Sequence, residues 1–135
     1  MNIAEINDFC KNTLISNLGM VITEIKGNTI IGKMPVDERT KQPWGLLHGG
    51  AMMAFAETLA SVGSYLLIDK EQFDVVGAEI HGSYLRNTKC KEVIGYCSLI
   101  KAGKHLHRWE VKIFDSNSEL MCIVILTNMV VQKHN

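Results

Sequence analysis

The residues best suited to chemistry lie in one stretch, QPWGLLHGGAMMAFAETLASVGSY, from Gln42 to Tyr65. His48, Gly49 and Gly50 open an apolar run, and a single carboxylate, Glu57, stands in its middle. If a helix starts at Gly49, its first backbone N–H groups have no partners within it. Glycines put no side chain over them, which makes a donor site for an anion or a polarised carbonyl. A donor of this kind, aimed at a developing oxyanion, contributes about 2.7–4 kcal/mol in hydrolases. The competing reading of Gly-Gly is a tight turn into a packed helix. Glu57 also has two readings, a structural acid that is exposed or paired with a lysine or arginine, or a reactive carboxylate beside open space.

The helix must position these groups. At about 100° per residue, Gly50, Ala54, Glu57, Ser61 and Ser64 fall within roughly 40° of one line. Met52, Phe55, Leu59, Val62 and Leu66 fall near the opposite side and form the face expected against a sheet. Glu57 lies about 12 Å along the axis from Gly49, at about 1.5 Å per residue. One carbonyl carbon does not easily reach both groups on the same helix. The spacing therefore predicts a homodimer with two antiparallel helices side by side and composite sites. His48 is not among the favoured capping residues. It reads either as a base or as a residue fixing the loop. Ser61 lacks the G-x-S-x-G context of a nucleophilic serine.

The chain around this helix suits a single domain over residues 1–135. Net charge is zero and the isoelectric point is about 6.9, which argues against a nucleic-acid or membrane-surface partner. Cys10, Cys90, Cys97 and Cys122 form no CxxC pair and no zinc spacing, so they read as reduced, packed thiols of a cytoplasmic protein. The N-terminus lacks the pattern of a signal peptide. Residues 51–68 approach the length of a membrane span but hold Glu57, Thr58, Ser61 and Ser64, so a helix buried in a soluble protein fits better. Residues 3–18 read as an N-terminal helix, and VITEIKGNTIIGKMPV as a hairpin turning at Gly27 and Asn28. A polar loop lies between Pro35 and Pro43, followed by the helix over 49–67. Strands are expected over 75–85, 93–100, 107–114 and 120–131, pairing in sequence order. One long helix on one antiparallel sheet is an α+β fold.

The segment QPWGLLHGGAMMAFAETLAS resembles the hotdog-fold thioesterases that carry an acidic residue on the central helix. These include the PaaI-like group of the 4-hydroxybenzoyl-CoA thioesterase superfamily, with enterobactin-proofreading and dihydroxynaphthoyl-CoA thioesterases. VVGAEIHGSYLR, GKHLHRWEVKIFDSNSEL and the last strand extend the likeness over most of the chain. The resemblance implies hydrolysis of an acyl-CoA or acyl-carrier-protein thioester with an aromatic or medium-chain acyl group, without metal or cofactor, by a dimer of dimers. It implies that Gln42 and His48 orient the thioester and the loop, and that the Gly49 amide, with Gly50 beside it, polarises the carbonyl. Glu57 of the partner subunit would be nucleophile or general base, and Ser61 would hold Glu57 or its water. Close relatives read Glu-Ile-Asn-Ala-Asn-His-x-Arg where this chain reads EIHGSYLR. The family histidine, which contacts the acyl end, thus aligns with Tyr84, a possible hydrogen-bond donor. The first asparagine aligns with His81, either a replacement contact or a strand residue. Candidate partners for coenzyme A phosphates are Arg86, Lys89, Lys91, Lys101, Lys104 and Arg108, with Lys104 preferred for its glycine-bearing loop. The rival functions are a hotdog hydratase or dehydratase, and a non-catalytic acyl-CoA sensor or carrier.

Overall fold

The computed structural model describes residues 1–133. Two short helices open the chain, α1 (Ile3–Phe9) and α2 (Leu14–Asn17). They replace the single helix expected over 3–18. Asn12, at φ 59°, interrupts the run, and the Thr13 side chain accepts from the Ile15 N–H to start the second helix. Asn7 ties α1 to the next strand, donating from Nδ2 to the Ile22 carbonyl (2.8 Å) and accepting at Oδ1 from the Ile22 N–H (2.9 Å).

The hairpin forms as expected from β1 (Val21–Lys26) and β2 (Thr29–Pro35). Gly27, at φ 56°, opens its turn. Helix α3 spans Gly49–Leu67, the bounds that the apolar pattern predicts. Then come β3 (Phe73–Tyr84), β4 (Glu92–Ala102), β5 (Leu106–Asp115) and β6 (Leu120–Gln132). No helix among the described residues is long and apolar enough to cross a membrane.

All six strands join one antiparallel sheet in the order β1-β2-β4-β5-β6-β3. β4, β5 and β6 pair in sequence order as expected, while the expected pairing of β3 with β4 is corrected. β3 runs along β6 as an outer strand, and β2 pairs with β4 instead. The reason is geometric. A helix of 19 residues is about 28 Å long at about 1.5 Å per residue. That length crosses several strands spaced about 4.8 Å apart, so α3 delivers β3 to the far edge.

Close packing of α3 on the sheet depends on two bare backbone positions. Gly32 and Gly95 face each other across β2 and β4. A Cβ on Gly95 would stand 2.5 Å from Leu59 Cδ1 and 2.9 Å from the Phe55 ring. Both Phe55 and Leu59 are fully buried and have nowhere to go. Gly95→Val is therefore expected to destabilise the fold by about 3 kcal/mol, through overpacking. A urea midpoint equal to that of the wild type would refute this account of the helix seat.

The face of α3 on the sheet also differs from the helical-wheel expectation. Ser64, expected on the open face, is fully buried. Its Oγ accepts from Trp109 Nε1 (2.8 Å) and Asn128 Nδ2 (3.0 Å). These polar groups rise from the inner face of the sheet and need an acceptor, which draws Ser64 inward. Val62 and Leu66, expected on the sheet, are half-buried on the flank of the helix.

Candidate active site

The loop ahead of α3 is tightly organised. The Gln42 N–H donates to the Leu46 carbonyl (2.8 Å), the His48 N–H donates to the Thr40 carbonyl (2.8 Å), and Gly45 turns at φ 83°. Gln42 Oε1 accepts from the N–H groups of Trp44 (2.6 Å) and Leu46 (3.3 Å). Gln42 thus fixes the loop through its oxygen, and its Nε2 donors take no part in those bonds.

His48 is the N-cap of α3, contrary to what its residue type suggests. Its ring Nδ1 accepts from the Gly50 N–H at 2.8 Å. An imidazole nitrogen that accepts carries no proton, so the proton of neutral His48 is on Nε2. This bond occupies the Nδ1 lone pair and supports the loop-fixing role over the base. It also occupies the Gly50 amide. The amides of Ala51 and Met52 bond to the His48 carbonyl. The Gly49 N–H is left without an acceptor among the described residues.

Tyr84, at the end of β3, stands against Gly49: a Cβ on Gly49 would lie 3.0 Å from the tyrosine ring. Gln42, Gly49, Tyr84 and Arg86 line a common cleft of about 370 Å³. The structure therefore brings the loop, the helix start and the strand end together.

Glu57 is elsewhere. It is exposed and lines a second cavity of about 470 Å³ with Ser61, Val62 and Leu66. It belongs to none of the ion pairs among the described residues, so the paired-acid reading finds no cation. Its Oε1 would be 3.0 Å from a Cβ on Gly77. Gly77 leaves room for the carboxylate, and it opens the bulge between Gly77 and Glu79 in β3. The sequence reading missed Gly77; a glycine inside a strand pattern was the available signal. Ser61 shares the cavity, but no hydrogen bond joins it to Glu57 among the described residues.

Two expected contacts are placed differently. Gly82 lies against Met53 and Tyr84 against Gly49, so both face α3. By strand alternation His81 faces the other way. It is exposed and pairs with Glu79 Oε1 at 2.5 Å. His81 therefore does not enter the protomer's clefts. Lys104 is exposed at the β4–β5 turn. Beside it, the His105 carbonyl accepts from the Val130 N–H, and Val130 pairs with Val75 on the wall of the Glu57 cavity. Lys104 thus sits at the Glu57 end of the sheet, and Arg86 at the Gly49 end.

Residues 45–122, which include the Gly49 amide and Glu57, match the model of the thioesterase superfamily. The chain belongs to that superfamily. The proofreading thioesterase EntH of Klebsiella pneumoniae is 35% identical over 122 residues, covering 90% of this chain and 88% of that protein. A variant of thioesterase PA1618 from Pseudomonas aeruginosa superposes with a TM-score of 0.96 at 33% identity, over 98% of this chain and 96% of that one. Thioesterase HI1161 from Haemophilus influenzae gives a TM-score of 0.95 at 32% identity, over 100% of this chain and 95% of that one. The fold is thus the hotdog thioesterase fold, with α3 as its central helix. The protein is a hydrolase acting on thioesters.

Proposed function

We propose that this thioesterase hydrolyses an acyl-CoA at a site shared by two subunits, with Gly49 of one and Glu57 of the other. The observation that carries the reading is the division of the reactive groups. Within a protomer, the free Gly49 amide and the unpaired Glu57 carboxylate open on different cavities. A two-fold dimer brings such halves together. Strand β3 supports this arrangement. It is an outer strand, and Val76, Ile80 and Tyr84 are exposed on it. An unpaired edge of this length is a template for a second copy. Gly77, under Glu57, and Tyr84, beside Gly49, lie equally far on either side of the Ile80–His81 peptide. Antiparallel pairing of two β3 strands about that point sets each Gly49 level opposite the partner's Glu57 level.

The chemistry then follows from charge. The Gly49 N–H, at the positive end of α3, stabilises the oxyanion as the thioester carbonyl is attacked. Glu57 either takes a proton from the attacking water or attacks the carbonyl itself to give an anhydride that water opens. On both routes the C–S bond breaks as the carbonyl re-forms, and the thiolate of coenzyme A leaves without a strong acid. Single turnover in ¹⁸O-water tests for the anhydride, since water that opens it at the Glu57 carbonyl leaves solvent oxygen in that carboxylate, which general-base catalysis never does.

The test is release of free thiol from a panel of acyl-CoAs, with the variants Glu57→Gln and Gly49→Pro assayed alone and after mixing and reassociation. Each alone is expected to be nearly inactive. Hybrid dimers hold one intact composite site, so random reassociation should restore about a quarter of wild-type activity. No recovery would place both groups of each site in one subunit. Binding of acyl-CoA without thiol release would favour a sensor or carrier, and enoyl-CoA conversion without thiol release a hydratase. Lys104 is proposed to meet a coenzyme A phosphate. Lys104→Ala should raise KM about tenfold with little change in kcat, as loss of uniform binding does, and an unchanged KM rejects the assignment.

A further inference from the structure

Helix α3 meets the sheet mostly through apolar surface. Phe55 and Leu59 lie over the bare positions Gly32 and Gly95, where the contact is close but has no direction. Directional bonds occur at one place. Asn128 of β6, fully buried, donates from Nδ2 to the Ala60 carbonyl (3.2 Å) and to Ser64 Oγ (3.0 Å). Trp109 Nε1 of β5 donates to the same serine oxygen (2.8 Å). Among the described residues, these three are the side-chain hydrogen bonds that join α3 to the sheet. The place is in register with Glu57. Asn128 is the direct partner of Gly77 across β6 and β3, and Cβ positions in such a pair lie about 4.5–5.5 Å apart. Over Gly77 stands Glu57, with Oε1 3.0 Å from where a Cβ would be. Ala60 lies one turn beyond Glu57 and Ser64 two turns beyond it, on the same side of the helix. One cross-strand pair thus meets successive turns of α3, at Asn128 by hydrogen bonds and at Gly77 by the carboxylate. Stability does not explain these bonds. Asn128 Oδ1 and, at the paired position on β5, His107 Nδ1 are buried with no partner among the described residues. A polar layer left partly unsatisfied is less stable than an apolar one.

We infer that Asn128, with Ser64 and Trp109, is a positioning residue for the reaction: it fixes α3 along its axis, so that the Glu57 carboxylate is held over Gly77. This rests on the proposed role of Glu57 in the hydrolysis. Asn128 is fully buried and acts through the helix, not on the substrate. Apolar contact resists separation of helix and sheet, but it has no direction and resists a small slide less. Hydrogen bonds resist the slide, because they weaken steeply away from their preferred geometry. A slide of about 1 Å leaves the burial of α3 nearly unchanged, yet a misplacement of that size at a reacting group lowers the rate about 10²-fold.

The test is Asn128→Val. Valine suits a strand and leaves no group without a partner. Ser64 Oγ still accepts from Trp109, and the Ala60 carbonyl keeps its bond within the helix. Kinetics are read by thiol release from octanoyl-, benzoyl- and phenylacetyl-CoA, on the ester that the wild type turns over fastest. The variant should lower kcat about 10–100-fold, hold KM within about twofold, and melt within about 4 °C of the wild type. Ser64→Ala cuts two of the three bonds from the helix side and serves as the second variant if valine does not fold. It should lower kcat about tenfold and also lower the melting temperature, because Trp109 Nε1 loses its acceptor. The deciding measurement places each substitution in the Glu57→Gln background. If Asn128 acts through the carboxylate, the residual activity falls by no more than about twofold, since groups that act as a unit are not additive. A general loss of structure would multiply the two losses instead. Multiplied losses, or a kcat within about twofold of the wild type in both variants while Glu57→Gln is inactive, overturn the inference and leave the role of Glu57 standing. A Glu57→Gln enzyme with wild-type kcat, or a wild type that releases thiol from none of the three esters, overturns the proposed reaction and this inference with it.

Discussion

Glu57→Gln is expected to lower kcat for thioester hydrolysis by about three orders of magnitude, with the melting temperature unmoved. The size follows from the role. A positioned base contributes about 10²–10⁴-fold, and glutamine neither accepts a proton from water at neutral pH nor attacks a thioester. The unmoved melting temperature follows from the surroundings. Glu57 is exposed and takes part in no ion pair among the described residues. An isosteric change at such a position stays within about 0.5 kcal/mol. Gly77 leaves room for the amide as it does for the carboxylate. A structural acid held in an ion pair would behave in the opposite way, losing stability and keeping kcat, and an acid that is merely exposed would keep both. A kcat within tenfold of the wild type would remove Glu57 from the chemistry.

Gly49→Pro should lower kcat by about 10²–10³-fold, the cost of one lost oxyanion donor. Proline deletes the N–H while suiting the backbone. The first helical position favours it, because its missing donor is unused within the helix. His48 already holds φ −70° and ψ 131°, in the extended region that a residue before proline prefers. The Gly50 amide keeps its bond to His48. Gly49→Ala is the control. It retains the N–H and adds only a Cβ about 3.0 Å from the Tyr84 ring, and Tyr84 is 55% exposed and free to shift. Alanine should therefore lose much less than proline. Equal losses in the two variants would mean that crowding, and not the donor, governs this position.

The reactive thiols offer no rival nucleophile in the core. Cys97 and Cys122 are buried, and burial pushes both thiols up, that of Cys122 to about 11. Thiolate is the reactive form, so these two cysteines are inert near neutrality. Their packing role agrees with the expectation from composition.

The elements of this protein were legible in the sequence because they are set by near neighbours in the chain. The apolar period marked α3 from Gly49 to Leu67, alternation and β-branched runs marked β3 to β6, and Gly27 marked the hairpin turn. The candidate site was legible where it rests on one helix: a donor at its start and a carboxylate two turns on. The tertiary structure alone decided the rest. It placed β3 on the outer edge beside β6, because a helix of that length spans the sheet before the chain can return. It drew Ser64 inward and left Ser61 at the Glu57 cavity, because Trp109 and Asn128 rise under one serine and not the other. It turned His81 away and Tyr84 toward Gly49 through the alternation of a strand whose register follows a bulge. It made His48 a cap, because a ring nitrogen happens to reach the Gly50 amide where a shorter side chain would usually serve. Each of these outcomes depends on groups far apart in sequence competing for the same space or the same hydrogen bond, and local pattern carries no record of that competition.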